Sequence, residues 1–271
     1  SFHARQKKPR PAAQPAHERP AGMLRADALL VAQKLAPSRT AAQWMIKSGR
    51  VSWAGGVIGK PSLELPEGTP LNVAADPDAH YVSRGGNKLA GALAATGLDV
   101  AGKICLDVGQ STGGFTDCLL QRGASQVVGV DVGHEQLHPS LRSDPRVTYF
   151  EGVNARELTA ATPGIAGGFN LIVADVSFIS LTKVLPQWPA LLAPGGRVLS
   201  LVKPQFEVGA ENVARGGIVR DPSLYVMVEA SIREACAVAG LKVLDYFESP
   251  ITGSDGNHEF FLYAQRNAEH P

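Results

Sequence analysis

The sequence predicts an α/β fold on a mainly parallel sheet, with an antiparallel pair at one edge and a small α+β domain in front. Three observations carry this reading. Short apolar runs at 104–108, 127–132, 171–174, 198–202, 242–247 and 260–264 alternate with stretches of helical character. Runs that are apolar throughout belong to strands covered on both faces, as in a parallel sheet flanked by helices. The last two runs stand close together, joined by the polar segment 248–258, and so read as an antiparallel edge pair. Residues 23–80 lack this alternation and read as two short helices followed by small strands.

Within that front module, Leu24, Leu29, Leu30 and Leu35 give one apolar helical stretch. Ser38 reads as the N-cap of a second, carrying Ala41, Ala42, Met45 and Ile46, and Gly49 as its stop. Val51, Trp53, Val57, Ile58, Leu63, Leu65, Leu71 and Val73 follow in stretches broken by Gly and Pro. Residues 1–22, rich in Pro, Ala and basic side chains, have almost nothing to bury and read as a flexible basic tail. Pro77, Gly85 and Gly86 suggest a hinge, with 81–86 as the interdomain linker, 87–267 as the second domain and 268–271 as a short tail.

At 271 residues and 44% hydrophobic, the chain can bury a sizeable core. Its formal charge of +1 conceals an asymmetry: residues 1–80 hold 11 Lys/Arg against 6 Asp/Glu, residues 81–271 hold 15 against 19. A basic front half points to a polyanionic partner. Cys105, Cys118 and Cys236 are too few and too dispersed for a disulfide framework or a zinc site, so buried thiols and no metal are expected. No run approaches the roughly 18 apolar residues of a membrane span, and the expected location is cytoplasmic.

The segment LDVGQSTGGFTD, 106–117, reads as a strand ending near Asp107, a Gly-rich turn and a helix start. Such a turn lets backbone approach a ligand closely and aims helix N–H groups at it. About 20 residues later the next strand ends in Asp131, where a carboxylate can bind ribose hydroxyls. The turn lacks both the GxGxxG spacing of a dinucleotide site and the Lys-Ser/Thr ending of a phosphate loop. Asp107 would repel a pyrophosphate and attract a cationic aminoacyl group, so S-adenosylmethionine fits better than NAD or ATP. Asp107, Gly109, Ser111, Gly113, Gly114, Phe115, Asp131, Val132, Asn154 and Asp175 form the candidate cofactor set. Asn154 in YFEGVN reads either as an adenine contact or as an ordinary cap.

The segments VADVSFIS (173–180), LVKPQFEVG (201–209), RGGIVRDP (215–222) and SPITGSDGNHEFFLY (249–263) add a further signal, with SRGGNKL (83–89) and DVGQSTGGFTD (107–117). On these segments the chain resembles the TlyA, or haemolysin A, family of ribosomal RNA 2′-O-methyltransferases, from about Leu24 to Tyr263. The resemblance implies an S-four-type RNA-binding domain before a Rossmann-like, FtsJ-like methyltransferase domain. It implies S-adenosylmethionine as cofactor, ribosomal RNA or ribosomal subunits as partner, and a cytidine ribose as target. It also carries over a Lys-Asp-Lys-Glu tetrad onto Lys88, Asp175, Lys203 and Glu259. In front, Arg25, Lys34, Arg39, Lys47, Arg50 and Lys60 would face RNA phosphates. The S-four pattern's Asn-Gly turn is replaced here by Ala54-Gly55-Gly56.

Methyl transfer from a sulfonium needs an in-line nucleophile, so positioning and activation of the ribose hydroxyl carry the chemistry. Lys203 is the candidate for that role, either as a base with Lys88 depressing its pKa or as an ammonium stabilising a developing alkoxide. Asp175 would orient Lys203 and the ribose, and Glu259 would hold the hydroxyl or the lysines. Asp175-Val176-Ser177-Phe178 lacks the two prolines of base-amine methyltransferases, which favours ribose. Phe206 reads as an RNA-stacking or a core aromatic. The competing readings are a haemolysin or other membrane-active protein, and a non-catalytic ribosome assembly factor.

Overall fold

The computed structural model describes residues 22–36, 39–47, 49–74 and 81–268. The expected cap Ser38, nearly all of the tail 1–22, the hinge around Pro77 and residues 269–271 lie outside the described residues. The chain divides into two compact units, Ser1–Pro77 and Asp78–Pro271.

The first unit runs β1 (Met23–Arg25), α1 (Ala26–Ala32), α2 (Arg39–Lys47), β2 (Val51–Trp53), β3 (Gly56–Val57), β4 (Glu64–Pro66) and β5 (Asn72–Val73). β1 pairs antiparallel with β4, and β2 lies between β3 and β5. Leu29, Leu30, Ala42, Ile46, Val51 and Ile58 close a small core between helices and strands. At the start of α1 the buried Asp27 accepts two hydrogen bonds from Arg25, both at 3.0 Å, and one from Gln43 at 3.1 Å. Burial alone would raise its pKa, but the bonds from Arg25, Gln43 and the Ala28 N–H hold the carboxyl well below the usual range.

The second unit is built from α3 (Arg84–Thr96), β6 (Ile104–Val108), α4 (Gly114–Gln121), β7 (Gln126–Val130), α5 (Pro139–Arg142), β8 (Val147–Phe150), β9 (Phe169–Ala174), α6 (Trp188–Leu191), β10 (Leu192–Val202), α7 (Ser223–Ala239), β11 (Leu241–Glu248) and β12 (Phe260–Arg266). Seven strands form one sheet in the order β11-β12-β10-β9-β6-β7-β8. β10, β9, β6, β7 and β8 run parallel, and β12 pairs antiparallel with both β10 and β11, as the short polar connection predicts. Alternation along the strands explains the apolar runs. Leu106, Ile172, Val198 and Leu262 enter one core, and Cys105, Leu171, Leu199 and Phe261 enter the other. All three cysteines are buried and free, as expected.

The expected linker 81–86 is corrected by the structure. Tyr81 and Val82 pack against the second unit's core and α3 begins at Arg84. Gly86 is small because a Cβ there would collide with the Tyr81 side chain, and one on Gly114 would strike Ser83. The two glycines thus serve close packing of the α3 start against the α4 start, a pattern that reads from sequence like a flexible joint.

Candidate active site

Chain order in the sheet reverses between β6 and β9, and ligands of open α/β sheets bind beyond the carboxyl ends of strands at such a point. Val108 lies beside Ala174, Ala174 beside Ser200, and Val202 beside Phe260. Gly109, Asp175, Lys203 and Glu259 therefore stand just past one common edge.

Two ion pairs occupy that edge. Lys203 Nζ lies 2.6 Å from Asp175 Oδ1 and also donates to Ser177 Oγ at 3.1 Å. Lys88, one turn into α3, donates to Glu259 Oε1 at 2.6 Å, with the residues only 8% and 3% exposed. Each lysine thus has its own carboxylate. A Cβ built on Gly253 would lie 2.9 Å from both Glu259 Oε2 and Asp255 Oδ1, so these two carboxylates converge on one glycine.

Beside them lies the Gly-rich turn. Gly109 adopts φ 79°, and a side chain there would collide with the Asp175 carbonyl, so the turn touches the end of β9 directly. Asp107 is buried; its Oδ2 accepts from Thr116 Oγ1 at 2.7 Å, and Thr116 accepts from Gln110 Nε2 at 2.9 Å. Asp107 Oδ1 is buried without a hydrogen-bond partner. Burial pushes the Asp107 carboxyl up to about 7, with the charges of Asp175 and Asp131 adding to the effect and the Thr116 bond opposing it. Asp131 accepts from the Ser111 N–H and the Gly133 N–H, both at 2.8 Å, and so ties the turn to the end of β7.

The sequence profile of FtsJ-like methyltransferases matches residues 81–266. The chain belongs to the FtsJ-like methyltransferase family. It is 44% identical to the Mycobacterium tuberculosis protein named 16S/23S rRNA (cytidine-2'-O)-methyltransferase TlyA, over 90% of this chain and 91% of that one. Hemolysin A of Brachyspira hyodysenteriae is 37% identical over 89% of this chain and 99% of its own. A solved Streptococcus thermophilus structure that carries a hemolysin name has a TM-score of 0.67 and 38% identity, covering 92% of this chain and 90% of that one. The resemblance read from the motifs is borne out, and S-adenosylmethionine is the cofactor of this FtsJ-like methyltransferase. The residues around the turn fit it: the unpartnered Asp107 oxygen suits a cationic amine, and Asp131 keeps lone pairs for ribose hydroxyls.

Other members of the expected cofactor set serve this FtsJ-like methyltransferase differently. Phe115 is corrected: its side chain is a buried core group under α3. Gly113 and Gly114 owe their small size to Leu141 and Leu137 and to Ser83 respectively, which leaves only their backbone for a ligand. Asn154 Oδ1 caps the short helix Ala155–Glu157, accepting from the Arg156 N–H at 3.0 Å. Val132 is exposed beyond β7.

In the first unit, Lys34, Lys47 and Lys60 are exposed, and Arg50 donates to the Ala74 carbonyl at 3.1 Å. Arg25 Nε and Nη2 donate to Asp27, which ties part of its guanidinium to the start of α1. Arg39 is partly engaged there as well, at 3.4 Å.

Sequence reasoning missed Thr116 and Gln110, which brace Asp107, and Ser177, which holds Lys203. It also missed the full exposure of Phe178: 90% exposed at φ 64°, it leans on Phe206 at 5.1 Å. A non-glycine residue held at positive φ with its ring in solvent is strain of the kind found at functional sites. With Arg156 and Lys183, the two rings line an open cleft of about 570 Å³.

Proposed function

We propose that this chain transfers a methyl group from S-adenosylmethionine to the 2′-hydroxyl of a cytidine in ribosomal RNA, acting on ribosomal subunits in the cytoplasm. The carrying observation is the Lys203–Asp175 pair at 2.6 Å, set at the strand edge beside the Asp107–Gly109 turn. The name of the Mycobacterium tuberculosis relative, a 16S/23S rRNA (cytidine-2'-O)-methyltransferase, supports the reading for the target.

S-adenosylmethionine supplies an electrophilic methyl group on a sulfonium, so the leaving group needs no further activation. The chain's own residues must place and activate the hydroxyl. An ammonium has three donors, and Lys203 gives two to Asp175 and Ser177. Its third is left for the ribose oxygen, which it holds with a lone pair directed along the line of attack and whose developing charge it stabilises. As the oxygen–carbon bond forms and the carbon–sulfur bond breaks, the hydroxyl proton must leave. Asp175, at the same strand end, is the carboxylate placed to take it. Glu259, held by Lys88, stands at the same sheet edge.

Phe178 and Phe206 give RNA an apolar platform with Arg156 and Lys183 at its rim for phosphates. The first unit, with Lys34, Lys47 and Lys60 exposed, is read as the S-four-type RNA-binding domain. A membrane-active role has less support, since no helix among the described residues is long and apolar enough to cross a membrane. Mass spectrometry of nucleosides from unmethylated ribosomal RNA, incubated with the protein and S-adenosylmethionine, tests the proposal. It expects 2′-O-methylcytidine, and a methylated base or no product contradicts it.

A further inference from the structure

The loop between β11 and β12 presents Asp255 and Glu259 to the site; the Ser249 N–H donates to the Glu259 carbonyl at 2.8 Å at its base, and Arg84 Nη2 reaches the Thr252 carbonyl at 3.4 Å. Something must hold its tip. Asn257 is 2% exposed at that tip, and its side chain makes three hydrogen bonds in three directions. Its Oδ1 accepts from the Val219 N–H at 3.0 Å; its Nδ2 donates to the Gly217 carbonyl at 2.9 Å and to Asp255 Oδ2 at 2.8 Å. Its backbone N–H donates to Asp255 Oδ1 at 2.9 Å. Gly217 and Val219 belong to a tight turn closed by the Ala214–Ile218 bridge, 38 to 40 residues away in sequence.

Asn257 thus fixes both oxygens of Asp255 and anchors them to a separate loop. Asp255 in turn shares the Gly253 niche with Glu259, the partner of Lys88. Burial acts to raise Asp255, but the Asn257 bonds and the charge of Lys203 bring its carboxyl below the ordinary value. Lys203 at the end of β10 and Glu259, the partner of Lys88, are charged groups near Asp255.

We propose that Asn257 is a positioning residue for methyl transfer, clamping the turn at 214–218 to Asp255 so that the Asp255 and Glu259 carboxylates stay aligned with Lys203 and Lys88. It touches neither cofactor nor hydroxyl and acts through Asp255. A misplacement of about 1 Å at such a remove costs about a hundredfold in rate. The proposal rests on the methyltransferase reading above for its rate assay, but has a second readout that needs no RNA.

The test uses the full chain with Asn257→Ala and Asn257→Asp. The second keeps the volume and the acceptor for Val219 but removes both donations. Single-turnover methylation of ribosomal RNA is expected to fall about ten- to hundredfold in both, with S-adenosylmethionine affinity within about threefold of wild type. In the free protein, the carbon-13 carboxyl titration of Asp255 is expected to move upward in Asn257→Ala. Wild-type rates in Asn257→Asp, or an unmoved Asp255 titration, would overturn the proposal. So would a rate loss matched by equal losses of cofactor affinity and thermal stability. If wild type itself transfers no methyl to ribosomal RNA, the functional reading fails and the positioning role with it, while the Asp255 titration still decides whether Asn257 holds the Asp255 carboxylate.

Discussion

Lys203 Nζ lies 2.6 Å from Asp175 Oδ1, across the ends of two adjacent parallel strands and beside the turn that begins at Gly109. Lys88 and Glu259 make a second pair of the same length, but in a more buried place. Similar contacts in different surroundings predict different consequences when they are broken.

Lys88→Ala leaves Glu259 buried at 3% exposure without its cation. Breaking a buried pair from one side costs about 3–5 kcal/mol. The melting temperature of the second unit is expected to fall by several degrees, followed by calorimetry. An unchanged melting temperature would mean that Glu259 finds another partner.

If Asp107 takes the cofactor amine, as proposed, cofactor binding is expected to depend on pH. Its carboxyl is raised to about 7, so it is neutral below that value and charged above it. A raised acid favours the folded apo protein at low pH, and that contribution is lost as pH rises from the ordinary carboxylate range through about 7. Cofactor binding runs the other way, because the cationic amine requires the carboxylate. Affinity for S-adenosylmethionine should weaken roughly tenfold per pH unit below about 7. Asp107→Asn should flatten that slope, bind weakly throughout and stabilise the apo protein at pH 8. A wild-type affinity independent of pH between 5.5 and 8, by titration calorimetry, would remove Asp107 from the amine site.

Removing residues 1–77, the first compact unit, should leave a folded second unit that still binds S-adenosylmethionine. Methylation of ribosomal RNA should drop at least tenfold, and RNA affinity of the full chain should fall steeply with salt as counterions are released. Filter binding at several salt concentrations and a methylation assay check both. Equal activity in the truncated chain would show that the basic unit is dispensable.

The sheet was legible because uniformly apolar runs have few alternatives once helices separate them, and the edge pair because an eleven-residue, mostly polar connection leaves little room for a crossover. Glycines were harder. Gly85-Gly86 reads as a hinge and Gly113-Gly114 as a ligand turn, yet Gly86, Gly113 and Gly114 are small because neighbouring side chains crowd them. Close packing between distant segments leaves the same mark in sequence as flexibility. The pairing of Arg25 with Asp27 was not legible, because nothing local shows that Asp27 is buried. The tetrad positions were readable through resemblance, but not their pairing, which depends on strand register. Asp255-Gly256-Asn257 has ordinary turn composition, and only the fold reveals its reach to Val219.

The most direct test is the single-turnover rate of Lys203→Ala against wild type, with cofactor and RNA both saturating. Its ammonium is assigned to the hydroxyl in the transition state, so its loss should lower the rate about 10²–10⁴-fold while both ligands still bind and the fold persists. A rate within about threefold of wild type would contradict the account and leave Lys203 as a structural partner of Asp175.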